Sequence, residues 1–102
     1  MTKVRLSENG FSVKGHCTAD ANDELGRLVC SSVSSAAYMV ANTITDVIGD
    51  KADISVDEES GEMTLSLASP KYETQVVLKG FALHIKQLSE QYPGCIKVIS
   101  EV

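Results

Sequence analysis

Lys3-Val4-Arg5-Leu6-Ser7-Glu8-Asn9-Gly10-Phe11-Ser12-Val13-Lys14-Gly15 decides the fold class. Lys3 to Ser7 and Phe11 to Gly15 flank Asn9-Gly10, a dipeptide that accepts positive φ at both centres of a type I′ turn, so the two runs predict a hairpin. Downstream, His16 to Glu24 is rich in small, turn-favouring polar residues without apolar periodicity and predicts a loop. From about Leu25, apolar residues recur at three-and-four spacing (Leu25, Leu28, Val29, Val33, Ala36, Ala37, Val40, Ile44, Val47, Ile48), the stripe of a helix lying on a sheet, and Gly49 supplies a left-handed cap at its end.

The pattern then alternates. Ala52, Ile54 and Val56 fall on one face of a strand, an acidic turn runs through Gly61, and Met63, Leu65 and Leu67 return as its partner. Ser69-Pro70 has the chemistry of a helix opening, since Ser caps free N–H groups and Pro at the first position has no N–H to lose. The second helix is expected to reach about Gln91 on a stripe of Leu78, Phe81, Ile85 and Leu88, with Gly80 as a weak point and Pro93-Gly94 as the stop. A strand from Ile96 to Val102 closes the chain. The order ββαββαβ predicts an α+β two-layer sandwich, two helices against a mainly antiparallel sheet, with residues 1–102 as a single domain.

Composition narrows the function classes. A chain of 102 residues with 43% apolar and 23% charged residues is that of a folded domain with one modest core. A net charge of −5 disfavours direct nucleic-acid binding, which needs clustered Lys and Arg to displace counterions. No apolar run approaches a membrane span and Met1 to Leu6 lacks a signal-peptide core, so the expectation is a cytoplasmic protein with no membrane partner. Cys17, Cys30 and Cys95 are an odd number without framework spacing, which points to thiols rather than disulfides.

Two of these residues stand in a context suited to chemistry. Cys30 falls in or near the first turns of the long helix, where unpaired N–H groups and the helix dipole favour a thiolate. His16 follows Gly15 at a strand end and could project toward that helix start, to take the thiol proton or pair with the thiolate. A cysteine on a helix is more often simply a small buried apolar residue. What lifts Cys30 above that base rate is the arrangement Gly15-His16, then Glu24-Leu25-Gly26, then Val29-Cys30-Ser31-Ser32-Val33-Ser34.

This arrangement resembles the ribosomal-processing cysteine proteases, which show Gly-His, a glycine-containing loop, and Val-Cys followed by small residues and a Ser. The resemblance spans the chain in length and strand order; its specific part is His16 through Ser34. It implies an endopeptidase that removes the N-terminal extension of a large-subunit ribosomal protein precursor, with His16 and Cys30 as the catalytic pair, Gly15, Gly26, Ser31 and Ser34 in supporting positions, and a homodimer. Arg27 stands where the family usually has Asp, Cys17 stands where Ala is common, and the loop is longer; Asp20 or Asp23 are the carboxylates that could substitute.

In such a site Cys30 thiolate attacks a backbone carbonyl and protonated His16 hands its proton to the leaving amine. The backbone N–H groups of Cys30 and Ser31 are the natural oxyanion donors at a helix start. Arg27 could lower the thiol pKa or simply be solvated. A non-catalytic, dimeric ribosome-associated module and a Cys17–Cys30 redox pair are the competing readings. Zinc on His16, Cys17 and Cys30 lacks the paired short spacings of structural zinc sites, so neither metal nor cofactor is expected. His84 reads as a helix-surface or partly buried histidine and Cys95 as structural. Asp57-Glu58-Glu59 with Glu62 reads as a solvated turn that could also meet a basic substrate.

Overall fold

A computed structural model describes residues 1–15 and 24–101. The hairpin forms as β1 (Thr2–Ser7) and β2 (Gly10–Gly15), but its turn lies one residue earlier than the Asn9-Gly10 signal suggests. Ser7 pairs with Gly10, leaving Glu8-Asn9 as the loop, and neither has positive φ. The core sets this register: Val4 faces Val13 and Leu6 faces Phe11, and all four side chains are buried. Gly10 is needed for space, because a Cβ there would overlap the Leu65 carbonyl oxygen of the neighbouring strand.

Helix α1 (Glu24–Asn42) leads into a π-helical segment, Thr43–Ile48, where sequence periodicity predicts continuous α-helix. Thr43 Oγ1 donates to the Met39 carbonyl at 2.7 Å and Thr45 Oγ1 to the Ala41 carbonyl at 3.1 Å. Such back-bonding competes with the α-ladder in a β-branched run. The segment ends as expected at Gly49, in the left-handed region at φ 76°. The buried side of the helix is narrower than the apolar stripe. Val29, Cys30, Val33, Ala37, Val40, Ala41 and Ile44 are buried, whereas Leu25, Leu28 and Val47 are exposed.

The second hairpin is β3 (Asp53–Asp57) and β4 (Glu62–Ser66), followed by α2 (Tyr72–Gln91) and β5 (Ile96–Ser100). Ser69-Pro70 does not open α2. Asp50, brought up by the Gly49 turn, caps the helix from a distance. Its carboxylate accepts the Lys71 N–H at 2.9 Å and the Thr74 hydroxyl at 2.7 Å, which gives the N-cap N–H an acceptor and ties the first turn to the Gly49 turn. These bonds hold the Asp50 carboxyl below its ordinary pKa.

The five strands form one sheet in the order β3-β4-β2-β1-β5. Every neighbouring pair is antiparallel except β1 with β5, so the sheet is mixed and mainly antiparallel, and the element order is ββαββαβ as predicted. Both helices cover one face, enclosing a core of Val4, Leu6, Phe11, Val13, Met63, Leu65, Phe81 and Ile85 among others, with the Phe11 and Phe81 rings 4.5 Å apart. The stripe Leu78, Phe81, Ile85 and Leu88 is buried as expected, and Gly80 leaves α2 unbroken.

Candidate active site

Strand β2 ends at Gly15, which pairs with the buried Thr2 at the margin of the sheet. Helix α1 then crosses the sheet with Cys30 as its seventh residue, on the buried side and 6% exposed. These two positions meet. A Cβ built on Gly15 would overlap the Cys30 sulfur and lie 3.9 Å from the Cys30 Cβ. The thiol therefore occupies the volume that a side chain at position 15 would take, and only glycine permits the approach.

The β3–β4 turn completes this margin. Gly61, at φ 71°, lies so close to Gly15 that a Cβ on it would stand 3.5 Å from the Gly15 carbonyl oxygen. Asp57 shapes the turn: its carboxylate accepts the N–H groups of Glu59 at 3.0 Å and Ser60 at 3.3 Å, and its carbonyl accepts the Gly61 N–H at 2.7 Å. The Ser60 and Glu59 N–H groups, aided by Lys14, keep the Asp57 carboxyl below its usual range. Sequence reasoning took this stretch as a solvated acidic turn and missed that Gly61 abuts the strand carrying Gly15. The signal available was a glycine closing a turn, which is silent about which end of which strand it will touch.

Cys30 lies in the second turn of α1, within the first turns that the sequence indicates. Only the first four N–H groups of an α-helix lack an intrahelical acceptor, and those of Cys30 and Ser31 lie beyond them, inside the ladder. They are not the expected oxyanion donors. Ser34, one turn on, is half-buried on the same side as Cys30; Ser31 and Arg27 are exposed, and Gly26 is half-buried. His16, Cys17, Asp20 and Asp23 lie outside the described residues. His84 is exposed on α2, as expected of a surface histidine, and Cys95 is half-buried with its carbonyl accepting the Thr2 N–H at 3.0 Å.

Among the described residues no group of three or more His, Cys, Asp or Glu is placed to hold a metal ion, and no helix is long and apolar enough to cross a membrane. A cavity of about 410 Å³ lined by Ser7, Leu78, Lys79, Ala82, Leu83 and Ser100 lies at the opposite end of β1 from the Thr2–Gly15 pair. It contains neither thiol nor imidazole, so the chemistry points to the Gly15–Cys30 margin instead.

Comparison with known proteins gives the same direction. The family model for cysteine protease Prp matches residues 1–97. Among solved structures, SMU.848 from Streptococcus mutans is similar at a TM-score of 0.83 and 18% identity, covering 99% of both chains. The essential ribosomal processing protease Prp from S. aureus, in complex with a substrate peptide, is similar at a TM-score of 0.81 and 18% identity, over 98% of this chain and 97% of that one. The same S. aureus protease with a covalently linked product peptide gives a TM-score of 0.77 and 19% identity, over the same shares of the two chains. No curated protein sequence matches significantly.

A buried thiol held against a glycine strand end, on this sandwich and within this family match, defines a cysteine-type peptidase. The chain belongs to the cysteine protease Prp family.

Proposed function

We propose that this single-domain chain is a cytoplasmic endopeptidase that removes the N-terminal extension of a large-subunit ribosomal protein precursor, with Cys30 as nucleophile and His16 as its base, acting as a homodimer. The observation that supports the reading is the contact between Gly15 and the Cys30 sulfur, Gly15 being the residue that His16 follows in the chain. The solved relative that acts in ribosomal processing was captured with a peptide substrate and with a covalently linked product peptide, as a thiol nucleophile requires.

The position of Cys30 makes the base essential. With the helix N–H groups already engaged, ionisation of the thiol at neutral pH depends on a proton acceptor and on charge around the sulfur. Neutral His16 takes the proton, the thiolate adds to the scissile carbonyl carbon, and the C–N bond breaks as imidazolium returns the proton to the leaving amine. Water then attacks the thioester, with the imidazole again as base, and frees the thiol. Gly15, Gly26, Ser31 and Ser34 act in support: Gly15 by leaving room for the sulfur, Ser34 by keeping the side of α1 beyond it small.

Mass spectrometry of wild type, Cys30→Ala and His16→Ala, each incubated with an extended ribosomal protein precursor, tests the reading. Cleavage by wild type alone is expected. Precursor that binds all three proteins but is cut by none would replace the peptidase with an interaction module.

A further inference from the structure

The side of the sheet away from the helices is open, and the strand registers sort its charges. Val4 and Val13 point into the core, so Lys3, Arg5 and Lys14 beside them project from the opposite side, as Lys97 does next to the buried Ile96. Lys3 pairs with Lys14 on β2 and with Lys97 on β5, which sets three lysines side by side on adjacent strands, about 5 Å apart at the backbone. Arg5 lies two residues along β1 on the same side. Lys3, Arg5 and Lys97 are exposed and Lys14 is half-buried. Four of the chain's nine basic residues thus gather on one half of one face, although the net charge of the whole chain is −5.

The carboxylates of this face fall largely on its other half. Glu62 on β4 pairs with Asp57 on β3 and with Lys14 on β2, so Lys14 has acidic neighbours on one flank. Among the described residues the one ion pair is Arg5 with Glu101, at 3.6 Å and more than half exposed on both sides, and Lys3 and Lys97 have no carboxylate partner. Like charges directly opposite one another weaken a sheet, so the lysine row costs folding stability that a bound anion restores.

We propose that the row of Lys14, Lys3 and Lys97, with Arg5, is a docking site for the phosphate backbone of RNA. The make-up of the face selects this occupant. Ile99 is its one large apolar side chain among the described strand residues, whereas an interface with a second copy of this chain or with an acidic protein needs an apolar centre. Phosphate binding runs on charge and hydroxyl groups, and Ser12 pairs with Arg5 on the same side. A flat sheet lies against the wide, shallow minor groove of A-form RNA and enters neither groove of B-DNA. With no aromatic side chain on this face to stack on bases, the contact is indifferent to sequence. Helix α1, with Cys30, packs on the opposite side of the sheet, so RNA held here leaves the thiol side free for a peptide.

Fluorescence anisotropy with a short, fluorescein-labelled RNA duplex tests the assignment. Wild-type affinity should fall roughly a hundredfold between 50 and 200 mM salt, the mark of about four neutralised phosphates. Lys3→Gln and Lys97→Gln should each weaken binding several-fold and reduce the salt slope by about one, while Lys86→Gln, the same charge change on exposed α2 surface, should leave it unaltered. Lys3→Gln should melt no lower than wild type, because it relieves repulsion in the row. A wild type that fails to bind at 50 mM salt, an equal loss in Lys86→Gln, or equal affinity for a DNA duplex of the same sequence overturns the assignment. Displacement of the RNA by polyglutamate at matched charge also overturns it, and gives the face to an acidic protein instead. None of these outcomes bears on peptide cleavage.

Discussion

The Gly15 α-carbon and the Cys30 sulfur are packed so closely that no side chain fits between them. Gly15→Ala must therefore move the thiol or the strand. Overpacking of this kind costs about 1–3 kcal/mol. A modest fall in melting temperature is expected, with a loss of Cys30 alkylation and of cleavage of a hundredfold or more, read by intact-mass labelling kinetics at neutral pH. Wild-type labelling rates in Gly15→Ala would sever the link between the contact and reactivity.

Cys30 is buried, but its serine replacement is nearly isosteric. Cys30→Ser should melt within a few degrees of wild type and show no turnover, since the hydroxyl is far harder to ionise. His16→Ala should lower turnover by about 10²–10⁴, the usual worth of a positioned base. It should also flatten the acid limb of the pH–rate profile, which peptide cleavage from pH 5 to 9 would record.

Asp50 ties the Gly49 turn to the start of α2 through Lys71 and Thr74. Its carboxyl is held below the ordinary value chiefly by the Lys71 N–H and then by the Thr74 hydroxyl. A depressed folded-state value means that the stabilisation is complete above the unfolded value near 3.9 and is lost as pH falls through the lower folded value. Asp50→Ala should thus melt several degrees below wild type from pH 5 to 8, and the two curves should converge in acid once the folded-state carboxyl is protonated. A gap that persists in strong acid would assign the effect to something other than the carboxylate.

Ile85 on α2 is completely buried. Its truncation to Ala leaves a cavity worth about 2–5 kcal/mol, a large share of a small domain's stability. Val76, half exposed on the same helix, should tolerate Ala within about 0.5 kcal/mol. Urea titration of both variants checks the contrast.

Local patterns in the chain were enough to establish the ββαββαβ order, the amphipathic stripe of α2, the Gly49 cap and the position of Cys30 on a long helix, because each depends on spacing within a few residues. The hairpin turn was misread by one residue, since Asn9-Gly10 is a strong local signal and the choice between neighbouring registers belongs to the buried pairs Val4–Val13 and Leu6–Phe11 and to the space Gly10 leaves for Leu65. The cap of α2 was assigned to Ser69-Pro70, although a carboxylate twenty-one residues before Lys71 supplies it. Periodicity also counted Leu25, Leu28, Ile54 and Val56 as apolar without showing that the opposing layer fails to reach them.

For the site, the order of residues named Gly15, His16 and Cys30 as candidates, because their types and context are readable one after another along the chain. Only the tertiary structure decided that Gly15 lies against the Cys30 sulfur, that Gly61 closes the same margin, and that the helix ladder already holds the N–H groups of Cys30 and Ser31. Contacts between positions far apart in the chain arise when strands β2 and β4 pair and α1 packs across them, and that packing leaves no trace in local residue spacing.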